Sequence, residues 1–260
     1  ALSLVPNKKS YGATPQIDKF TLRFFSDQSN MIEALKTRKV LAVSFPPRMS
    51  VSTTPAQNLH SYVVDLPQYT ALFFNVDLNP FLKDKNLRIA LTAAIDKQKI
   101  VAEDLHGDAK IIDGPILPGM IGYTNSLTTI TTTLDEANQL LDKTWQRVQP
   151  EEYFSLRTEE LRKERGIIDA KTKKVSTTPE IDTQILSDIK NEMSSSQTFY
   201  RHDKKNQILS LTITTVDTPE YQKVAERIAK NWQLLGVKTS IKPINRQFFL
   251  RNVIKNRDYE

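Results

Sequence analysis

Alternating apolar and polar positions predict a strand, a helix and a second strand near the start of the chain. Apolar residues recur at every second position over residues 20–24, which is the period of a strand. A stripe over residues 31–35 predicts a helix, which Asp27 or Ser29 is placed to cap. The β-rich run at residues 40–45 predicts the next strand. Short links between the three elements favour a parallel βαβ unit.

A second apolar run, residues 69–75, predicts another strand. Asn79 and Pro80 mark the turn that follows it. Apolar residues then recur between Leu87 and Ile95 at i, i+3, i+4, i+7 and i+8, which is one face of a helix. Asp96 is placed to cap a further helical piece.

The middle of the chain changes from a mixed to a strongly charged composition. Thr133 and Glu136 have the spacing of a capping box, so a helix begins there. Residues 146–206 are rich in charge and poor in large apolar side chains. Amphipathic helices are predicted at about 151–164 and 179–193. We expect an inserted helical hairpin or a partly mobile excursion, more exposed and more mobile than its flanks.

The last part of the chain predicts a second βαβ unit. Apolar positions alternate over residues 209–213 and again over 237–241. Between them, Asp217 and Glu220 have capping-box spacing. Gly236 stands where a helix ends in a left-handed residue.

Composition places the chain among ordinary globular proteins. It has 260 residues, of which 39% are hydrophobic and 25% charged, with a net charge of +6. Acidic and basic residues are interleaved, and no basic stripe carries spaced aromatic residues, so we expect no nucleic-acid partner. There is no cysteine, which excludes disulfides and thiolate metal sites. The first residues do not have the pattern of a signal peptide.

The chain carries none of the common catalytic motifs. His60, His106 and His202 are far apart, and no pair has metal-ligand spacing on a helix. No Gly-x-Ser-x-Gly, His-Glu-x-x-His or phosphate-loop pattern occurs. We therefore expect a protein that is not an enzyme, with no catalytic residue, metal or cofactor.

Five blocks of sequence resemble one family, in the family's order. They are "PNKKSYGATPQIDKFTLRFFSDQSNMIEALKTRKVLAVS", "LFFNVDLNPFLKDKNLRIALTAAIDKQKI", "GPILPGMIGY", "TLDEANQLLDKTW" and "LTITTVDTPEYQKVAERIAKNWQLLGVKTSI". Together they are similar to the family 5 extracellular solute-binding proteins, the peptide-binding subunits of ABC importers. The family's N-terminal lobe and its C-terminal return have no counterpart here, so we expect a partial chain.

The resemblance implies an α/β fold, a partial class II periplasmic-binding-protein clamshell built from βαβ units with an inserted helical segment. Residues 1–66 would form part of the first, large lobe. Residues 67–260 would form the second lobe, with a charged helical insertion at about 147–205. In such a clamshell the solute binds between the lobes.

The ends of the two crossing strands are the expected ligand contacts. On the first they are Ser44 and Phe45, and on the second Leu72, Phe73 and Asn75. Strand backbone there would pair with the amides and carbonyls of a peptide. Phe73 would add an aromatic face for stacking.

The resemblance implies capture of peptides, or a similar small solute, for delivery to the membrane subunits of an ABC transporter. We expect an extracytoplasmic monomer, in the periplasm or at the cell surface, anchored to the membrane as a lipoprotein. The alternative is a non-transport interaction or scaffold protein on the same fold, with the charged insertion as its contact surface.

Overall fold

The computed structural model describes residues 1–7, 9, 11–12, 15–44, 60, 62, 64, 66–124, 132–168, 175–193 and 197–260. The chain divides into two compact units, Ala1–Leu66 and Pro67–Glu260. That these units correspond to two lobes of a clamshell stays a prediction.

The first unit contains a two-stranded antiparallel sheet and one helix. Strand β1 (Leu2–Leu4) pairs with β2 (Phe20–Leu22), and helix α1 spans Gln28–Lys36. The Asp27 carboxylate caps α1 by accepting from the Asn30 backbone N–H at 2.8 Å, as the sequence predicted.

The parallel βαβ unit predicted for this region is wrong. Strand β2 pairs antiparallel with β1, which precedes it in the chain, and residues 40–44 are not in a strand. Phe45 lies outside the described residues. An alternating pattern identifies a strand but not its partner, because the partner is chosen by pairing across the sheet.

Two helices early in the second unit begin at the capping groups that the sequence predicted. The first helical elements of this unit are, in chain order, a 3₁₀ turn at Pro80–Lys83, α2 (Lys85–Ala93), α3 (Lys97–Lys99) running into a π-helical turn at Ile100–Asp104, and α4 (Leu134–Asp142). The Asp96 carboxylate accepts from the Lys99 N–H at 2.9 Å. Thr133 and Glu136 form both bonds of the predicted capping box.

The second βαβ unit is confirmed. Strands β7 (Ser210–Val216) and β8 (Lys238–Ile244) run parallel, with Leu211 opposite Thr239, and helix α7 (Pro219–Gln233) connects them. The capping box predicted for this helix is wrong. Thr218 is the N-cap residue, and the Asp217 carboxylate instead accepts from the Gln222 side-chain amide at 2.5 Å.

One apolar core joins this βαβ unit to the helices before it. Leu87 and Leu91 of α2 are fully buried in it, together with Leu141 of α4. Trp232 of α7 is buried against α2 and donates its indole N–H to the Leu91 carbonyl at 2.9 Å. The indole nitrogen therefore enters the core with its hydrogen bond satisfied.

The insertion (residues 147–205) folds around a core of its own. Strand β3 (Gln146–Val148) pairs antiparallel with β6 (Tyr200–His202). Between them lie helix α5 (Pro150–Arg165), the short antiparallel pair β4 (Ile167–Ile168) and β5 (Val175–Ser176), and helix α6 (Pro179–Glu192). The two predicted helices are thus confirmed, whereas the predicted mobility stays a prediction.

The chain then finishes in a helical turn. Helix α8 (Arg246–Phe248) continues as a π-helical turn at Phe249–Ile254, within which Val253 is buried. A further segment, residues 257–260, follows. We call residues 257–260 the tethered segment, because the side chain of Asn75 binds their backbone. The tethered segment borders the candidate site.

Candidate functional site

A groove in the second unit is the strongest candidate site among the described residues. Residues 71–74 form one side of it, and residues 211–214 of β7 form the other. Its cavity has a volume of about 170 Å³. The remaining lining comes from Leu82, Trp232, Phe249, Val253, Ile254, Tyr259 and Glu260.

The first side of the groove was predicted to be a strand over residues 69–75. That prediction is wrong, since these residues pair with no strand in the part of the chain that the structure describes. Their alternation nevertheless persists. Leu72 and Phe74 pack against the core, while Phe73 between them is 62% exposed. Phe74 also stacks on Trp232, with ring centroids 6.3 Å apart.

Asn75 follows this side of the groove in the chain and is buried. Its side-chain amide donates to the carbonyls of Arg257 at 3.0 Å and Tyr259 at 2.9 Å. Its side-chain oxygen accepts from the Asp77 N–H at 3.2 Å. Asn75 therefore holds the tethered segment at the border of the groove.

The tethered segment also reaches the other side. The Glu260 carboxylate accepts from the Thr212 backbone N–H of β7 at 2.5 Å. A side-chain carboxylate thus occupies a position that a strand carbonyl takes in a sheet ladder. Chemically, the groove offers apolar walls, one carboxylate and the backbone of a strand edge.

The structure places three of the five predicted ligand contacts in or beside the groove. Leu72 and Phe73 line the groove, and Asn75 lies at its border. Ser44 is exposed and does not end a strand, since residues 40–44 are not in one. Phe45 lies outside the described residues. That these five residues contact a ligand stays a prediction.

Sequence patterns did not indicate the partners that the structure gives to these residues. Thr212 and Glu260 are 48 residues apart, and Asn75 lies 182 and 184 residues from the carbonyls it binds. Alternation and capping patterns extend over a few residues, so they carry no information on such pairs.

Neither the histidines nor the carboxylates form a metal site in the described part of the chain. No group of three or more His, Cys, Asp or Glu side chains there is placed to hold an ion. His202 is buried, and its Nδ1 lies 2.6 Å from the Asp203 carbonyl, while His60 and His106 are exposed.

Comparison with protein families gives one match. The model described as "Bacterial extracellular solute-binding proteins, family 5 Middle" matches residues 1–260. No curated protein sequence matches the chain.

Solved structures of similar fold include two that share 13% and 17% sequence identity with the chain. NikA from Brucella suis, in complex with Fe(III)-EDTA, has a TM-score of 0.59 at 13% identity, covering 98% of this chain and 43% of that one. The oligopeptide-binding protein AppA from Bacillus subtilis, in complex with a nonapeptide, has a TM-score of 0.57 at 17% identity, covering 96% and 41%.

A third, NikZ from Campylobacter jejuni in complex with Ni(L-His), has a TM-score of 0.51 at 18% identity, covering 96% and 41%. The chain therefore spans less than half the length of each of these structures. At these identities the likeness shows the fold, which is the α/β class II periplasmic-binding-protein fold, present here in part.

Proposed function

The chain belongs to the family 5 bacterial extracellular solute-binding proteins, and from this premise we propose that it captures peptides for delivery to an ABC importer. The observation that carries the proposal is the family match along residues 1–260. Members of the family are binding proteins that act outside the cytoplasm. Peptide as the solute is our inference, supported by the similar fold of AppA, which was solved with a nonapeptide.

In this proposal Ser44, Phe45, Leu72, Phe73 and Asn75 contribute to the ligand site. Phe73 supports it most directly, because its ring is largely exposed while its neighbours on either side pack inward. An exposed aromatic ring offers apolar area for a peptide side chain. The units Ala1–Leu66 and Pro67–Glu260 would belong to the first and second lobes.

Calorimetry on the full-length protein with a mixed peptide library tests this function. We expect binding of the library, and the variant Phe73→Ala should weaken it by about tenfold, the loss of roughly 1.4 kcal/mol. Phe248→Ala is the matched control, because Phe248 is also exposed but does not line the groove.

The Ni(L-His) complex serves as the competing ligand in the same titrations, since NikZ was solved with it. Binding of this complex with no response to peptides would contradict peptide capture. Equal losses in Phe73→Ala and Phe248→Ala would contradict the assigned ligand contact.

The alternative function is a non-transport interaction or scaffold protein that uses the insertion as its contact surface. It is favoured by the insertion's own buried core, which gives its charged exterior a defined shape. In this case a partner would be captured through residues 147–205, and the melting temperature of the full-length protein would not respond to peptides.

The remaining parts of the proposal concern partners and location. We infer that the protein works as a monomer, delivers its solute to the membrane subunits of the transporter, and has no nucleic-acid partner. A lipid anchor would hold it at the membrane surface. Among the described residues, no helix combines the length and the apolar character needed to cross a membrane.

A further inference from the structure

Strand β8 has one free edge. In the part of the chain that the structure describes, β8 pairs with β7 alone. At its start the Lys238 N–H donates to the Leu209 carbonyl. Backbone groups alternate in direction along a strand, so the even-numbered residues of β8 bond to β7. The odd-numbered residues Thr239, Ile241 and Pro243 direct their backbone groups to the free edge.

Pro243 lies at this free edge and is exposed. A proline that directed its nitrogen at β7 would break the ladder, because it has no N–H to donate. Directed outwards, Pro243 costs the pair of strands no hydrogen bond. It removes a donor from the free edge and puts ring carbons where another strand would have to approach. Lys242 beside it is also exposed, and proline and lysine are residues that commonly protect strand edges from pairing.

Without the proline, the free edge would suit the same edge of a second copy of this chain. In an antiparallel pair of two copies related by a twofold axis, Ile241 can face Ile241 of the other copy, which places Thr239 opposite residue 243. Residues that face each other in this way exchange two backbone hydrogen bonds. With proline at position 243, the Thr239 carbonyl is left without a donor, and the pair is weakened at both ends.

We propose that Pro243 prevents two copies of this protein from joining their β8 edges. An open strand edge is a template on which other chains can add, and its unpaired backbone groups make no distinction between partners. Pro243 blocks such addition without cost to the bonds between β7 and β8. The proposal goes beyond peptide capture, since a protein that bound no peptide would still need this edge closed to remain monomeric.

Replacement of Pro243 in the full-length protein tests this role. Pro243→Val restores the N–H with a residue that favours strands, and it removes no buried side chain because Pro243 is exposed. We expect this variant to dimerise with a Kd of about 100 µM or tighter in sedimentation equilibrium, whereas the unsubstituted protein stays monomeric. At ten times that Kd, about one fifth of the chains are still monomeric, so amide hydrogen exchange at Ile241 should slow about fivefold. Pro243→Thr should behave in the same way.

A proline at another outward position separates edge pairing from other causes of association. Thr239→Pro, added to Pro243→Val, removes a donor from the free edge but no bond to β7, so the edge has as many donors as in the unsubstituted protein. This double variant should be monomeric. Pro179→Val is the matched control, because it also replaces an exposed proline, but at the first turn of α6 and away from any strand edge. It should be monomeric as well.

Monomeric Pro243→Val and Pro243→Thr proteins at concentrations of about 1 mM would overturn the proposal. So would dimers in which exchange at Ile241 is unchanged, since the contact would then lie elsewhere. Equal dimerisation of the double variant would have the same meaning. Peptide calorimetry on the full-length protein is a separate readout, so failure of peptide capture and failure of this proposal can be told apart.

Discussion

The body of the second unit and the insertion are two folded regions that are stabilised in different ways. We call "the body" the residues around the main apolar cluster, which joins α2, α4, α7 and β7. Its core consists almost entirely of aliphatic side chains and two tryptophans. The core of the insertion also contains buried aliphatic side chains, but it includes a tyrosine pair, Tyr153 and Tyr200, whose ring centroids stack 3.8 Å apart.

The two regions are joined by charged groups rather than by a shared apolar core. Arg201 of β6 is fully buried at the junction. It donates to the carbonyls of Leu235 at 2.7 Å and Trp145 at 3.1 Å, and to the Asp142 carboxylate at 2.7 Å. All of these partners belong to the body or to the residues leading into the insertion.

A second ionic contact links the insertion to β8. The Glu192 carboxylate accepts from Lys238 at 2.5 Å and from Arg157 at 3.3 Å. The Tyr153 hydroxyl also donates to it, at 3.4 Å. Burial and the Glu192 carboxylate raise the pKa of Tyr153, so the phenol stays protonated and remains a donor.

The contrast teaches that a charged sequence does not preclude a defined core. Apolar burial is non-directional and tolerates small rearrangements. Buried ionic groups instead need every partner in place, and removing one partner leaves others unsatisfied. We therefore expect substitutions at the junction to lower the free energy of unfolding more than substitutions at a local capping group of the body.

The largest effect is expected from Arg201→Met. Methionine fills similar space but leaves the carbonyls of Leu235 and Trp145 without their donor. We expect a loss of about 3–5 kcal/mol in the free energy of unfolding, measured by urea denaturation.

Arg147→Met is the matched control, because Arg147 also binds Asp142, at 2.7 Å, but its side chain is 43% exposed. Arg147→Met should lower the free energy of unfolding by about 1 kcal/mol or less. Similar losses for the two variants would show that the junction does not depend on the buried arginine.

The next effect is expected at Gly236, where α7 passes into β8. Gly236 has φ of +75°, and a Cβ there would lie 2.5 Å from the Phe199 ring of the insertion. Gly236→Ala should cost about 2–4 kcal/mol, since it combines left-handed strain with a steric clash.

Gly107→Ala separates the two causes. Gly107 has φ of +79° but open space around its Cβ position, so strain alone should cost about 1 kcal/mol. Thermal unfolding of both variants measures the difference. If their Tm values differ by less than 1 °C, the close contact with Phe199 is not the cause of the destabilisation.

A pH-dependent effect is expected from Glu192→Gln. Burial alone would raise the pKa of Glu192, but hydrogen bonds from Lys238 and Arg157 outweigh it and hold the pKa below the usual 4.5. A lowered carboxyl pKa stabilises the fold above about pH 4.5, and this stabilisation is lost as the pH falls through the folded-state pKa. Acid should therefore weaken the attachment of the insertion.

At pH 7, Glu192→Gln should lower the free energy of unfolding by about 1.5–3 kcal/mol. When the pH falls from 7 to 3.5, the free energy of unfolding of this variant should decrease less than that of the unsubstituted protein. Urea denaturation at both pH values measures this. Glu160→Gln is the control, since Glu160 also binds Arg157 but is more exposed. An equal pH dependence in all three proteins would exclude Glu192 as the responsible group.

The smallest effect is expected in the body, at the first turn of α4. Thr133→Ala removes the hydroxyl that accepts from the Glu136 N–H, at a cost of about 1 kcal/mol. Thr133→Ser keeps the cap and should cost less than half as much in the same denaturation assay. A loss as large as that of Arg201→Met would reverse the expected order of the two regions.

The sequence by itself determined the elements whose signals are local. The apolar face from Leu87 and the capping box at Thr133 predicted α2 and α4, and the alternation around residues 209–213 and 237–241 predicted β7 and β8. Such signals involve residues at most a few positions apart, so the sequence displays them directly. The family resemblance, confirmed by the family match, rests on the same blocks.

Only the tertiary structure decided which segments pair and which polar groups are buried. Residues 69–75 have the pattern of a strand, yet a strand also requires a neighbour, and a pattern of period two does not supply one. The buried position of Arg201 and the bonds of Asn75 to residues 257 and 259 depend on partners 34 to 184 residues away. At such separations the choice of partner follows from how the whole chain packs, because only packing brings those groups together.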